Sequence, residues 1–312
     1  REKGEGSMRA GLVLAAASVA ALLAIPPLAA ENNFIITLAF IFATYTTLAL
    51  AWNIIGGFAG QLNLGHAAFF GVGAYILSLS TTSGLHPYLG VLGGGVAAVG
   101  LALLMSPLLR LRGDYFAIGT LSLAEAIKVA ILNIHAYGMR VAPYPGLGRV
   151  ENYYFLTALL IAACLTTYVI LRSRIKLAFV SIRENETLAT GSGINPLKYK
   201  IIALALSGLF TGFTGGIYGY NLLYVPAEHV FSIEWTIIPL FMVLIGGRGT
   251  LTGPLIGAFI YLGIYYLLQF TITEISLLVF GLIVVLIIKF MPQGLIETVL
   301  INRVGVKRSS VP

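Results

Sequence analysis

Glu125 and Lys128 are the only charged residues in the apolar run 115–134, and they stand three positions apart. On a helix that spacing places both side chains on one face. Either charge alone would cost roughly 2.5–3.5 kcal/mol in the centre of a bilayer on insertion scales, so the two are expected to pair and to face the bundle or water. A pair so placed can line a polar pathway for a zwitterionic solute. The alternative is a structural ion pair that locks neighbouring spans together. Gln61, Asn63 and His66 form a second group, on a glycine-rich stretch that opens the apolar run 64–80. Unwound backbone and side-chain amides can contact a polar solute, as in discontinuous transporter helices, whereas interhelical hydrogen bonding is the structural alternative. His66 alone is too little for a proton relay. The four histidines, at 66, 86, 135 and 229, have no metal-ligand spacing, and HExxH, GxSxG and GxxxxGK[ST] are absent. Gly212-Phe-Thr-Gly215-Gly216-Ile-Tyr-Gly219 lies in an apolar run without lysine and reads as a packing face, not a phosphate cradle. The single cysteine, Cys164, excludes a disulfide framework and any CxxC site. No catalytic residue, metal site or cofactor of the chain's own is therefore expected, and any ATP chemistry must reside on another chain.

The elements that must position these residues are membrane spans. The chain has 312 residues, 58% of them hydrophobic and only 10% charged, with a mean hydropathy of +0.93; soluble domains carry about 25% charge. Apolar runs occur at about 11–30, 34–55, 64–80, 88–109, 115–134, 153–171, 201–224, 235–247, 251–270 and 275–291, which predicts an all-α polytopic membrane protein of about ten transmembrane helices. The runs 64–80 and 235–247 are short and are expected to be tilted, broken or re-entrant. Residues 1–7, ahead of Met8, are expected to be a non-native remnant, and 11–30 an uncleaved first span longer than a signal-peptide core. Residues 8–300 then form one transmembrane domain, and 301–312 a tail.

Placing the N-terminus inside puts 110–114, the loop 172–200, the 246–249 turn and the tail on one side, and nearly all loop Lys and Arg with them. The positive-inside rule makes that side cytoplasmic, with both termini on it. Only Arg140 and Arg149 lie on the other side. The same rule accounts for the net charge of +7, so no nucleic-acid partner is expected. Tyr153, Tyr154 and Trp235 are expected in interfacial aromatic belts. The 172–200 loop reads as a short helical hairpin, with Asn185 or Thr187 able to cap a helix start, Gly191 and Gly193 to stop one, and Pro196 to end continuation. Two glycine-rich segments, 56–65 and 246–254, echo each other at the cytoplasmic ends of spans and suggest two broken-helix elements from an internal duplication.

Three stretches carry a family resemblance across residues 12–300: Leu50-Ala-Trp-Asn-Ile-Ile-Gly56-Gly-Phe-Ala-Gly60-Gln-Leu-Asn-Leu-Gly65-His-Ala-Ala-Phe-Phe-Gly71; Leu111-Arg-Gly-Asp-Tyr-Phe-Ala-Ile-Gly-Thr120-Leu-Ser-Leu-Ala-Glu125-Ala-Ile-Lys128; and Ser181-Ile-Arg183-Glu184-Asn185-Glu186 followed by Ala189, Gly193, Ile194 and Asn195. With them the chain resembles the LivM-type permease subunits of branched-chain amino acid ABC importers, a type II-like permease architecture. The resemblance implies that 172–200 is the cytoplasmic coupling loop that docks on an ATPase, with Arg183, Glu184, Asn185, Glu186, Ala189, Gly193 and Ile194 as its coupling residues. Leu188 stands where that family usually has a small residue. The resemblance further implies a prokaryotic cytoplasmic (inner) membrane location and four partners besides the lipid bilayer: two ABC ATPase subunits carrying ATP and Mg, a homologous LivH-like permease, and an extracytoplasmic solute-binding protein. A permease for urea or short amides would look much the same. A secondary ion-coupled transporter would need an intramembrane carboxylate that is not neutralised locally.

Overall fold

The computed structural model describes residues 20, 22–25, 33–111, 113–134, 138–271, 281–282 and 289. Two of the expected spans, the first and 275–291, fall largely outside the described residues. The other eight are all helical. Helix α1 (Asn33–Trp52) passes into a π-helical turn, Asn53–Phe58, and the chain then runs unwound to Gly65. Helix α2 (His66–Thr82) is followed by α3 (Pro87–Leu104), a 3-10 turn (Ser106–Arg110), α4 (Asp114–Ile134) and α5 (Arg149–Arg172). The hairpin α6 (Arg174–Glu184) and α7 (Glu186–Gly191) leads into α8 (Pro196–Leu222), and α9 (Ala227–Val230), α10 (Glu234–Gly246) and α11 (Thr252–Thr271) complete the described chain.

Seven of these segments are long and apolar enough to cross a membrane, counting α9 and α10 as one 20-residue unit, Ala227–Gly246. The run 64–80 is not broken internally: α2 is a continuous 17-residue helix, and the break precedes it. The run 235–247 is likewise one helix, α10, with Pro239 inside. Sheet among the described residues is one antiparallel pair, β1 (Met139–Arg140) with β2 (Tyr224–Val225). Helices satisfy the backbone groups of their interior within the segment, which is what a hydrocarbon surrounding demands. Buried hydroxyls follow the same rule: Thr44, Thr47, Thr157, Thr167 and Thr214 each donate to the carbonyl four residues back, at 2.7–3.0 Å.

The centre is a three-helix contact of α2, α3 and α8 made through glycine. A Cβ on Gly73 would strike the Gly212 carbonyl, and one on Gly215 the Phe70 carbonyl. The Gly212–Gly219 stretch is therefore the packing face its composition suggests. Trp235 stacks on Phe70 at 4.1 Å between ring centroids and gives its indole N–H to the His229 carbonyl at 2.8 Å. Tyr153 is fully buried and donates to the Leu22 carbonyl at 2.7 Å. The expectation that these two line an interfacial belt is corrected: their polar tips find protein carbonyls, so they pack inward. Tyr154, next to Tyr153, is exposed.

The β1–β2 pair gathers the 138–148 loop and the start of the 224–234 connection at one end of the bundle. Hydrogen bonds bring the π turn, the 172–200 hairpin and the 247–250 turn together at the other, basic end. These are the groupings that the charge pattern predicts.

Candidate functional site

The hairpin at the basic end is built by side-chain caps. Ser173 Oγ accepts from Ile175 N–H at 3.2 Å and starts α6. Asn185 Oδ1 accepts from the N–H groups of Thr187 and Leu188 at 3.0 and 3.1 Å, so Asn185, not Thr187, caps α7. Each such cap satisfies donors that a helix start leaves without intrahelical partners. Gly193, at φ +81°, ends the turn in the left-handed region, and Ile194 N–H reaches back to the Ala189 carbonyl at 3.1 Å. Asn195 then caps α8, accepting from Lys198 N–H at 3.2 Å, with Pro196 in its first turn.

Its two faces differ. Ala178, Phe179, Ile182 and Ala189 are buried against the spans, whereas Leu177 and Leu188 are 68% and 69% exposed. Glu186 turns inward: its Oε2 lies 2.8 Å from Nζ of Lys200, a lysine only 2% exposed. Arg183 also turns inward. Its Nη1 donates to the Gly57 carbonyl in the π turn at 3.0 Å, while Nε and Nη2 hold Glu184 Oε1 at 3.1 and 2.9 Å. The arginine stem lies against Gly60, whose φ of +70° and lack of a Cβ admit it.

Beneath the guanidinium the two glycine-rich segments meet. Asn53, in the π turn, accepts from Gly249 N–H at 2.8 Å through Oδ1 and donates to the Thr250 carbonyl at 2.8 Å through Nδ2. A Cβ on Gly57 would collide with the Asn53 side chain and stand 2.7 Å from Gly249 N; one on Gly249 would stand 3.1 Å from Arg183 Nη1. The two glycine-rich segments are thus in physical contact. Asn53 and Lys200 were not among the candidates read from the sequence, because the partners of Asn53 lie almost 200 residues away. The available signal for Lys200 was a cation at the mouth of an apolar run.

The expected pathway residues divide. Gln61 belongs to the basic end: with Gly113, Arg183, Glu184, Glu186 and Lys200 it lines a polar recess of 290 Å³. Asn63 and His66 are fully buried. Asn63 Oδ1 accepts from Gly65 N–H at 2.8 Å and its carbonyl takes the Trp52 indole N–H at 3.0 Å. His66 Nε2 lies 2.6 Å from Thr211 Oγ1 on α8, an interhelical hydrogen bond. Glu125 and Lys128 do pair, at 2.9 Å, with their side chains 53% and 23% exposed. Of the two orientations expected from sequence, toward the bundle or toward water, the pair does not take the first: the buried face of α4 is Phe116, Ala117, Thr120 and Ala124, and the pair points away from it.

Comparison with known proteins agrees with this architecture. Residues 34–288 match the family model for "Branched-chain amino acid transport system / permease component". The "High-affinity branched-chain amino acid transport system permease protein LivM" of Salmonella typhimurium and that of Escherichia coli are each 30% identical over 294 residues, which is 81% of this chain and 67% of theirs. The "Probable branched-chain amino acid transport permease protein LivM" of Methanocaldococcus jannaschii is 24% identical over 314 residues, covering 82% of this chain and 91% of its own. No solved structure matches significantly. An all-α, multi-pass bundle with a capped polar hairpin, matched by that family model from its first long helix onward, belongs to the permease components of branched-chain amino acid transport systems and is of the LivM type.

Proposed function

We propose that the chain is one transmembrane half of an ATP-driven importer for branched-chain or other hydrophobic amino acids, working by alternating access in a prokaryotic cytoplasmic membrane. The observation that carries this reading is the two-faced hairpin: α6 and α7 are pinned to the spans by Arg183, Glu186 and Ala189 and offer Leu177 and Leu188 outward. Exposed leucines beside charged residues, on a helix pair rigidified by caps, suit a docking face for an ATPase subunit. Two such subunits would supply ATP and Mg. A LivH-like permease would complete the pathway, and an extracytoplasmic binding protein would deliver the solute.

Glu125 and Lys128 fit this assembly. An exposed ion pair halfway along a spanning helix is poorly placed against lipid. The second permease, or the aqueous pathway between the two, would cover it. Full local neutralisation at 2.9 Å also weighs against a proton- or sodium-coupled carboxylate.

Reconstitution tests the proposal. With a second permease, two ATPases and a binding protein in proteoliposomes, leucine should accumulate only when ATP is present. Gradient-driven uptake by the chain alone would refute it. Glu125→Ala with Lys128→Ala, in an assembled complex, should lower uptake about tenfold, the loss expected for one charge-assisted contact. Unchanged uptake would remove the pair from the pathway.

A further inference from the structure

We infer that Arg183 is a positioning residue that transmits movement of the hairpin to two membrane elements at once, the π turn of α1 and, through Asn53, the turn that joins α10 to α11. The inference rests on the importer reading and adds the route by which the hairpin would act.

The geometry carries it. Arg183 leaves the docking hairpin and ends on a backbone carbonyl of the membrane domain, Gly57 at 3.0 Å. That carbonyl belongs to a π turn, a rare element that frequently occurs at functional sites. One turn earlier on the same element, Asn53 holds Gly249 and Thr250 with two bonds of 2.8 Å. The guanidinium, the π turn and the 249–250 backbone are in mutual contact, since a methyl group added at Gly57 or Gly249 would collide with or press on its neighbours. Glu184, accepting from Nε and Nη2, holds the guanidinium plane so that Nη1 stays aimed at Gly57. The planar fork of arginine can hold both partners at once; a lysine ammonium lacks that geometry.

A packing role alone would predict lost stability when Arg183 is changed. A transmitting role predicts lost coupling in a complex that still assembles. The test is Arg183→Gln in the reconstituted importer, reading leucine transported per ATP hydrolysed. The transport ratio should fall about tenfold, the scale of one lost charge-assisted bond. Arg183→Lys should recover only part of the ratio. An unchanged ratio in Arg183→Gln overturns the inference.

A second measurement needs no change at Arg183. With Cys164→Ser, spin labels at Thr187→Cys and Arg248→Cys report the distance from the hairpin to the 247–250 turn in the nucleotide-free and vanadate-trapped complex. The inference requires the two to move together, so the distance should stay constant. A change of several ångströms overturns it even if the Arg183 variants fail to assemble. If the unaltered complex shows no ATP-dependent uptake, it is the importer reading that fails; if it transports and Arg183→Gln transports equally per ATP, only the transmission role fails.

Discussion

Glu186 and Lys200 make the most quantitative case for how the hairpin is held. Lys200 Nζ sits 2.8 Å from Glu186 Oε2, with the lysine side chain 2% and the glutamate 35% exposed. The pair is asymmetric, and the asymmetry sets the expected costs. Glu186→Ala leaves an ammonium in the protein with no counter-charge. Breaking a fully buried pair in this way costs 3–5 kcal/mol, and the one-third exposure of Glu186 lowers the figure here to about 2 kcal/mol. Lys200→Met leaves instead a carboxylate that already reaches water, so it should cost about 1 kcal/mol or less. The double variant should resemble Lys200→Met, because the methionine removes the stranded charge. Hydrogen exchange of the α6–α7 amides reads these values directly: at about 1.4 kcal/mol per tenfold, Glu186→Ala should speed exchange roughly 30-fold. Equal effects of the two single variants, or a double variant that is their simple sum, would refute the assignment of a stranded buried charge.

Two further outcomes follow from the packing and the caps. Gly215→Ala should lower stability by about 3 kcal/mol or prevent folding, since its methyl group meets rigid backbone at Phe70; Gly191→Ala, with open space around it, should be nearly neutral, and thermal unfolding in detergent compares the two. Asn185→Ala should destabilise α7 by about 1 kcal/mol through loss of its cap, while Asn185→Asp, which retains the acceptor, should preserve the exchange protection of Thr187 and Leu188.

The features visible in the sequence are those governed by local rules. Apolar runs about as long as a bilayer is thick predict helices, and all eight described ones are helical. Caps act over two or three residues, so the hairpin was legible in outline: the sequence offered Asn185 or Thr187 as cap and Gly191 and Gly193 as stops, and the structure chose Asn185 and Gly193 and added the caps Ser173 and Asn195. Interhelical bonding, the alternative reading for His66, is what Thr211 supplies, but the identity of that partner was not readable. For Gln61, position on an unwound stretch at the cytoplasmic end of a span did not reveal that it lines a recess with the hairpin residues Arg183, Glu184 and Glu186.

What the sequence by itself determined is the class of protein, the eight spans among the described residues, its basic end and the outline of its hairpin, because hydropathy, charge placement and helix capping all act within a few turns of chain. Only the tertiary structure decided that Arg183 closes on Gly57, 126 residues away, that Asn53 joins the two glycine-rich segments across 196, and that Glu125 and Lys128 point outward. Periodicity states which residues share a helix face. Which face is buried, and which distant backbone it meets, depends on how the whole set of helices packs.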